Sequence, residues 1–493
     1  MGQHRFRRAP LLCFTLAAIL VVSALGSRRA AAQYIITEII DSTGDGAGNG
    51  LDGADSIAVD ASNNVYVAGR FSDRVFKITP SGVITVIIDA TGDGAGNSLS
   101  GPVGIAVDAA GNVYVLGAGT DNAFKIAPTG VITEVIDATA GGAGIGLGEP
   151  SAIAVDTAGN VFVTDSLNYS TFKITPAGVI TEIIDASGDG LHLLLYPRSI
   201  ATDAAGNAYV TGLGSGNAFR FTPTGVITMI LGAPGDGSGA GLDSVEGITA
   251  DDSGNVFMIG NDKVFKITPA GVITVIIDCV LLAPGNCVQG IGLGLPVGVA
   301  VDGASNAYVT GAVSDNAFRI TPAGVITEII DASGDGAGNS LLGPHGIAVD
   351  SAGNVYVAGF YSDNAFKITP DLDSDGIADA SDNCPDTSNA GQADADGDGV
   401  GDVCDNCPNT PNVDQADADG DGDGDVCDNC INVSNSDQAD ADSDGVGDVC
   451  DVCSNNTPGL LVGPDGRPLQ DCNGDCLFDG ADIQCIVDEI LNQ

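Results

Sequence analysis

The stretch YIITEIID, Tyr34–Asp41, decides how the rest of the chain is to be read. The phrase returns as GVITVIID at Gly82, GVITEVID at Gly130, and GVITEIID at Gly178 and Gly324, and each later copy ends a longer unit. That unit opens on IAVD at Ile57, Ile105, Ile153 and Ile347, with the variants IATD at Ile200, ITAD at Ile248 and VAVD at Val299. A turn follows, then a short apolar run (VYV at Val65, Val113 and Val355, VFV at Val161) and a second turn. FKITP or a close variant comes next, at Phe76, Phe124, Phe172, Phe219, Phe265, Phe318 and Phe366.

Each run is short, β-branched or aromatic, and bounded by Gly, Asn, Asp or Pro, which predicts a strand. Four such strands in a unit of 40–50 residues predict a β-propeller blade. The first three strand types each occur seven times, whereas only six FKITP strands are followed by an ITEII strand. The missing seventh is Tyr34–Ile40. The chain is therefore expected to be all-β, a seven-bladed β-propeller whose N-terminal strand closes the last blade, because closure removes exposed sheet edges. Within each unit the Asp of IAVD is expected to hydrogen-bond the following turn. Phe76, Tyr66 and their equivalents should fill the layers between blades. Lys77, Lys125, Lys173, Arg220, Lys266, Arg319 and Lys367 recur at one strand position, which suits a scaffold role better than a basic binding ring.

The units resemble NHL-type and virginiamycin B lyase-like propellers, whose blades also read P-x-G-I-A-V-D and G-N-V-Y-V. Gly101-Pro102-Val103-Gly104-Ile105-Ala106-Val107-Asp108 carries the likeness most closely. By this resemblance, the loops after the fourth strand share one face with the turns between the second and third strands. That face would carry the Gly-Asp-Gly loops (Asp93, Asp189, Asp335) and the non-repeated Phe71, Tyr169, His192, Tyr196, Arg198, His345, Phe360 and Tyr361. Loops on a rigid scaffold are where binding concentrates, so Phe71, Tyr169, Tyr196, Phe360 and Tyr361 are the ligand-face candidates. The resemblance also implies histidine and glutamate with a divalent metal. His192 and His345 are then the candidate catalytic residues, with His345 in the family-like context GPHGIAVD, but no matching second histidine and glutamate stand in the neighbouring blades. The loop from Cys279 to Pro296 is longer than the others, and Cys279 with Cys287 is expected to form a local disulfide.

The N-terminal 32 residues read as an export signal: Arg5, Arg7 and Arg8, an apolar run from Leu11 to Leu25, and Ala30-Ala31-Ala32 as a cleavage site. No other stretch is apolar enough to span a membrane. Thirteen cysteines, of which Cys13 lies in the leader, leave twelve for an oxidising compartment. A secreted or cell-surface location is therefore expected. The 493 residues carry a formal net charge of −48. From Asp371 onward there are 31 acidic residues against one basic residue, Arg467. Such a tail excludes nucleic acid and anionic lipid as partners, and without counter-ions it repels itself.

Those acids are not scattered. In DADGDGVGDVCD, Asp394, Asp396, Asp398, Asp402 and Asp405 occupy positions 1, 3, 5, 9 and 12, with Gly399 at 6 and a backbone carbonyl available at 7. This is the spacing of an oxygen-ligand calcium loop. The grid recurs as Asp371, Asp373, Asp375, Asp379 and Asp382, and as Asp417, Asp419, Asp421, Asp425 and Asp428. It recurs again as Asp440, Asp442, Asp444, Asp448 and Asp451, and as Asp471, Asn473, Asp475, Asp479 and Asp482. Calcium is the expected cofactor. With DNCP at Asp382 and Asp405, the segment resembles thrombospondin type 3 repeats. That resemblance implies the disulfides Cys384–Cys404, Cys407–Cys427 and Cys430–Cys450, each closing a loop worth roughly 3 kcal/mol. Free Cys-x-x-Cys redox chemistry is the competing reading, disfavoured by the surrounding aspartates.

The last loop runs into Ile483, Ile486, Val487, Ile490 and Leu491, a helical stripe, and resembles half of a dockerin module. The pairing of Cys453, Cys472, Cys476 and Cys485 stays open, with Cys476–Cys485 as one candidate. The expected organisation is a signal over 1–32, the propeller over 33–370, calcium-binding repeats over 371–453 and a dockerin-like segment over 454–493. The tail should hold little regular structure before its short terminal helix. The expected function is a non-enzymatic, calcium-binding extracellular protein. Its propeller would meet an extracellular protein or carbohydrate, and its tail would serve as a spacer or attachment module. A propeller lyase or hydrolase and dockerin-like attachment to a cohesin-type partner are the alternatives.

Overall fold

The computed structural model describes residues 34–139, 146–232, 245–278 and 292–453, and positions 463, 464, 467, 469, 471, 474, 476, 482 and 483. The described residues form 28 strands in seven antiparallel four-stranded sheets. In blade one the strands are Ala54–Val59, Val65–Gly69, Arg74–Ile78 and Ile84–Ile88, paired in chain order from the axis outward. Blades two to six repeat this over 102–136, 150–184, 197–231, 245–278 and 296–330. The seventh sheet is built from Pro344–Val349, Val355–Gly359, Asn364–Pro370 and, at its outer edge, Tyr34–Ile40.

The N-terminal strand pairs Tyr34 with Pro370, Ile36 with Ile368 and Glu38 with Phe366, with a bulge between Glu38 and Ile40. It reproduces the contacts of the outer strands elsewhere. Glu38 Oε1 accepts from Asn364 Nδ2 at 2.9 Å, as Glu134 does from Asn122 (3.1 Å) and Glu328 from Asn316 (3.0 Å). Its side chains reach two blade interfaces, since Tyr34 and Ile36 pack towards blade six while Ile39 and Ile40 pack towards blade one.

The layers between blades follow one rule. The second strand of every blade is buried along its whole length. Its central aromatic shares a core with the third-strand phenylalanine of the next blade: Tyr66 with Phe124, Tyr114 with Phe172, Phe162 with Phe219, and so on to Tyr356 with Phe76 across the closing seam. In five blades that aromatic is a tyrosine whose hydroxyl donates to the Asp of IAVD, at 2.8 Å for Tyr66 and Asp60. Burial raises the tyrosine pKa values, and the facing carboxylates raise them further. In blade five Phe257 has no hydroxyl to give, and Asp251 accepts instead from Ser305 of the next blade at 2.7 Å. Lys77, Lys125, Lys173 and Lys266 each stand 5.3–5.8 Å from the centre of the aromatic ring across the strand pair.

Asp350 shows how much one turn depends on its aspartate. Its carboxylate accepts from Ala352 N, Asn354 N, Asn354 Nδ2 and Tyr356 Oη, and the side chain is buried. Asp350→Ala leaves buried donors unpaired and is expected to destabilise the propeller by about 2–4 kcal/mol. A urea unfolding midpoint indistinguishable from the parent protein would sink this account.

The residues from 371 to 453 form turns without strands. Their buried apolar groups are chiefly Cys384, Cys407, Cys430, Cys453 and Val446, so disulfide sulfur stands where a core would otherwise be. The bridges Cys384–Cys404, Cys407–Cys427 and Cys430–Cys450 are present, each spanning 20 residues. The fourth bridge corrects the candidate pairing: Cys476 joins Cys453, not Cys485. This bridge ties Cys476 to the last repeat, and Cys476 Sγ also lies 3.7 Å from Val452 O. The leader, Cys279 and Cys287, Cys472 and Cys485, and the helical stripe beyond Ile483 lie outside the described residues. Among the described residues no helix is long and apolar enough to cross a membrane.

Candidate functional site

Two regions concentrate polar chemistry: the carboxylate loops of the tail and the mouth of the propeller's central channel. In the loops the aspartates divide their labour. Position 1 folds the loop, as Asp394 accepts from Gly397 N at 2.7 Å and Gly399 N at 3.1 Å. Position 9 closes it, as Asp402 accepts from Ala395 N at 2.7 Å. Position 12 ties it to the next unit: Asp405 accepts from Cys407 N and from Gln415 Nε2, both at 2.8 Å. Position 5 reaches further along the chain, since Asp375, Asp398 and Asp421 accept from the backbone of Asn389, Asn412 and Asn435. The sharp turn needs glycine at position 6, where Gly376, Gly399, Gly422 and Gly445 have φ of 93–100°.

After these bonds are made, oxygens remain. The carboxylates at positions 1, 3 and 5 converge within 4.8 Å in four loops: Asp371, Asp373 and Asp375; Asp394, Asp396 and Asp398; Asp417, Asp419 and Asp421; Asp440, Asp442 and Asp444. Asp371 Oδ1, Asp373 Oδ2, Asp382 Oδ2, Asp396 Oδ2 and both oxygens of Asp419 are shielded from solvent and lack a hydrogen-bond partner among the described residues. Burial, followed by the charge of neighbouring carboxylates, holds Asp373, Asp396 and Asp419 above the usual carboxylate range. Orphaned acidic oxygens in a turn of hard ligands fit a divalent cation. The third loop adds Asp423 at position 7, where the others carry Ile377, Val400 and Val446. In the last loop Asp471 accepts from Gly474 N and Cys476 N. Asn473, Asp475 and Asp479 lie outside the described residues.

At the propeller axis, a cavity of about 630 Å³ is lined by the first strands of the blades. One position per blade, the second residue of that strand, contributes Asp55, Ser151, Arg198, Glu246 and His345, with Val103 and Val297 completing the ring. His345 Nδ1 lies 2.9 Å from Asp55 Oδ1, and Arg70 Nη1 lies 3.2 Å from Asp55 Oδ2. Arg198 Nε pairs with Glu246 Oε2 at 3.3 Å. The His345 ring stacks on Phe360 at 4.5 Å, and Phe360 meets Phe71 and Tyr361 edge-on at 5.5 and 5.1 Å. Tyr169 and Tyr196 form a separate pair at 4.9 Å.

The two candidate histidines are not brought together. His192 is engaged within its own loop, with Nδ1 3.0 Å from Asp189 Oδ2. Burial pushes the Asp189 pKa up, but the hydrogen bonds from His192 and Leu191 outweigh it and hold the group at about 2. The Gly-Asp-Gly loops are also self-contained. Asp93 accepts from Ala95 N, Asn97 N and Asn97 Nδ2, and Asp335 repeats the pattern on Ala337 and Asn339.

Asp55, Arg70, Glu149 and Glu246 escaped the sequence reading, which took only Arg198 and His345 from the channel position. For Asp55 and Glu246 the signal is visible when the repeats are stacked: the second residue of the first strand changes character from blade to blade. Glu149 carries a further mark. It lines the cavity with φ of 113°; the equivalent positions are Gly53, Gly101 and Gly343 in blades one, two and seven, and Tyr196 and Leu295, with φ of 51° and 49°, in blades four and six. A strained non-glycine at a cavity wall is the kind of outlier that accompanies functional surfaces.

The thrombospondin type 3 repeat family matches residues 370–392 and 390–415, and the beta-propeller repeat family matches 192–220 and 335–360. Among solved structures, a streptogramin B lyase is 18% identical, with 68% of this chain and 97% of that chain covered and a TM-score of 0.51. Virginiamycin B lyase from Staphylococcus aureus is 19% identical, with 68% and 99% covered and a TM-score of 0.51. No curated protein matches the chain. At this identity the likeness is one of fold, and the chain is a seven-bladed β-propeller of the streptogramin B lyase-like fold continued by thrombospondin type 3 repeats.

Proposed function

We propose that this is an extracellular calcium-binding protein in which the propeller presents a ligand face and the tail is a calcium-stiffened spacer. The observation that carries the reading is the set of buried, partnerless carboxylate oxygens repeated in a segment that has disulfides but almost no apolar core. Such a segment needs cations to hold its shape. Asp371, Asp373 and Asp375, with their counterparts in the next three loops, are the ligands, and hard oxygen donors on a flexible turn select calcium. The bridges suit secretion or display at a cell surface. At the channel mouth Asp55 is held by His345 and Arg70, and Glu246 by Arg198, which suits recognition better than bond-breaking.

Small-angle scattering on the full chain tests the spacer. Adding calcium to chelated protein is expected to shorten the maximum dimension and sharpen the profile of the tail. Dimensions unchanged between calcium and chelator would overturn the reading.

A further inference from the structure

We propose that the seam between blades seven and one binds a saccharide, with a pyranose ring resting on Phe71 and Tyr361 and its hydroxyls meeting Arg70, His345 and Asp55. The proposal rests on the propeller face being a ligand face and names what that face takes.

The turn between the second and third strands begins with Arg70-Phe71 in blade one and Phe360-Tyr361 in blade seven. The corresponding pairs are Ala118-Gly119, Ser166-Leu167, Leu213-Gly214 and Ala312-Val313 in blades two, three, four and six. Aromatic residues at the first two positions of this turn are, among the described blades, confined to the two that meet at the seam; Tyr169 of blade three stands at the last position of its turn. Phe71 is 62% exposed and Tyr361 is 70% exposed, while Phe360 between them is buried and braces both. Two large rings left in water are apolar surface that a ligand would cover.

The rings are also held in place. Each lies against a glycine: a Cβ at Gly53 would sit 2.7 Å from Phe71 Cδ2, and one at Gly343 would sit 2.3 Å from Tyr361 Cδ2. Both glycines have positive φ, 66° and 55°. Their N–H groups donate to Asp363 and Asp315 of the preceding blades, both at 2.7 Å. The platform is therefore pre-organised, which lowers the entropic cost of binding.

The polar groups beside it select the ligand class. Asp55 gives one oxygen to His345 and the other to Arg70, so its charge is already compensated. A compensated carboxylate is a poor site for a cation, and one arginine already paired with an acid is a poor site for phosphate. What remains is a fixed set of neutralised donors and acceptors: the further N–H groups of Arg70, Nε2 of His345 and the lone pairs of Asp55. Convergent polar groups next to an aromatic floor match a ring with an apolar C–H face and a hydroxylated edge.

The test uses the full chain with cellohexaose, maltohexaose and chitohexaose as probes, read by saturation-transfer NMR and titration calorimetry. At least one probe is expected to bind. Tyr361→Ala and Phe71→Ala should each weaken it by roughly tenfold or more, while Tyr361→Phe stays within about threefold. Val313→Ala, at the equivalent turn of blade six, should leave affinity unchanged. Both rings are exposed, so the alanine variants are expected to keep the parent melting temperature, which is checked alongside. No binding of any probe at roughly millimolar concentration overturns the proposal. So does binding that survives the Phe71→Ala/Tyr361→Ala double variant, or a seam that takes peptides through the same rings and no saccharide. Repeating the titration in chelator separates the outcomes, because scattering reports on the tail while NMR reports on the seam.

Discussion

Deleting Tyr34–Ile40 is expected to abolish the cooperative unfolding transition of the propeller. The strand is seven residues long, yet it completes blade seven and contributes to both of that blade's interfaces. Its removal takes away four isoleucines, with Ile40 fully buried against blade one, and strips the ladder from Asn364–Pro370. At about 1.5–3 kcal/mol for a fully buried side chain, and less for those half-buried, the loss is on the order of 5 kcal/mol, comparable with the whole stability of many domains. The ring would also acquire a hydrogen-bonding edge open to other chains. A thermal scan monitored by circular dichroism checks this, with light scattering to follow association. A synthetic peptide of sequence YIITEIID should restore part of the transition by adding back as a strand. A truncated chain that melts within a few degrees of the parent would show that six complete blades and one of three strands suffice. Calcium binding by the tail should be unaffected in either case.

The closing strand was legible because β-repeats carry their own ledger. Each strand type has a fixed phrase, so a unit lacking its last phrase points directly to the orphaned copy at Ile35–Ile40. The turn aspartates and interblade aromatics were legible for the same reason. The channel mouth was not, because its contacts join residues of different strands and blades. His345 and Asp55 are 290 positions apart and meet because blade seven stands beside blade one. The Gly-Asp-Gly loops show a second limit. Their acids have the look of ligands, but Asp93 and Asp335 spend their oxygens on their own turns, which only hydrogen-bond geometry reveals. In the tail the repeat made three bridges readable through the family pattern, whereas Cys453–Cys476 joins the last repeat to a segment outside the pattern.

Chelating calcium is expected to unfold residues 371–453 as far as their bridges permit, and to leave the propeller's melting transition in place. Between Asp371 and Cys453 there are 24 aspartates and no lysine, arginine or histidine, so the protein supplies no countercharge of its own. The loops are shaped by backbone N–H groups donated to carboxylates, but those bonds leave the buried oxygens of Asp371, Asp373, Asp396 and Asp419 facing one another's charge. Each bound ion at a hundredfold excess over its dissociation constant adds about 2.7 kcal/mol, so four loops acting together contribute about as much as the bridges at roughly 3 kcal/mol each. The loops are also joined: Asp375, Asp398 and Asp421 each hold the backbone of the following unit, so loosening one loop releases the turn that positions the next. Loss of structure should therefore spread along the tail. Limited proteolysis in chelator should cut within 371–453 and spare the propeller, and scanning calorimetry should show one transition moving with calcium while another stays fixed. Adding reductant to the chelated protein should extend the tail further, because the bridges then no longer limit it. A tail that resists protease in chelator with its bridges intact would mean that disulfides and hydrogen bonds alone fold it, and the partnerless carboxylates would then need another explanation. Asp419→Asn supplies the local version of the experiment: it removes charge from the loop whose position 3 has both oxygens unpartnered, and it should lower calcium stoichiometry by one while the propeller transition stays where it was.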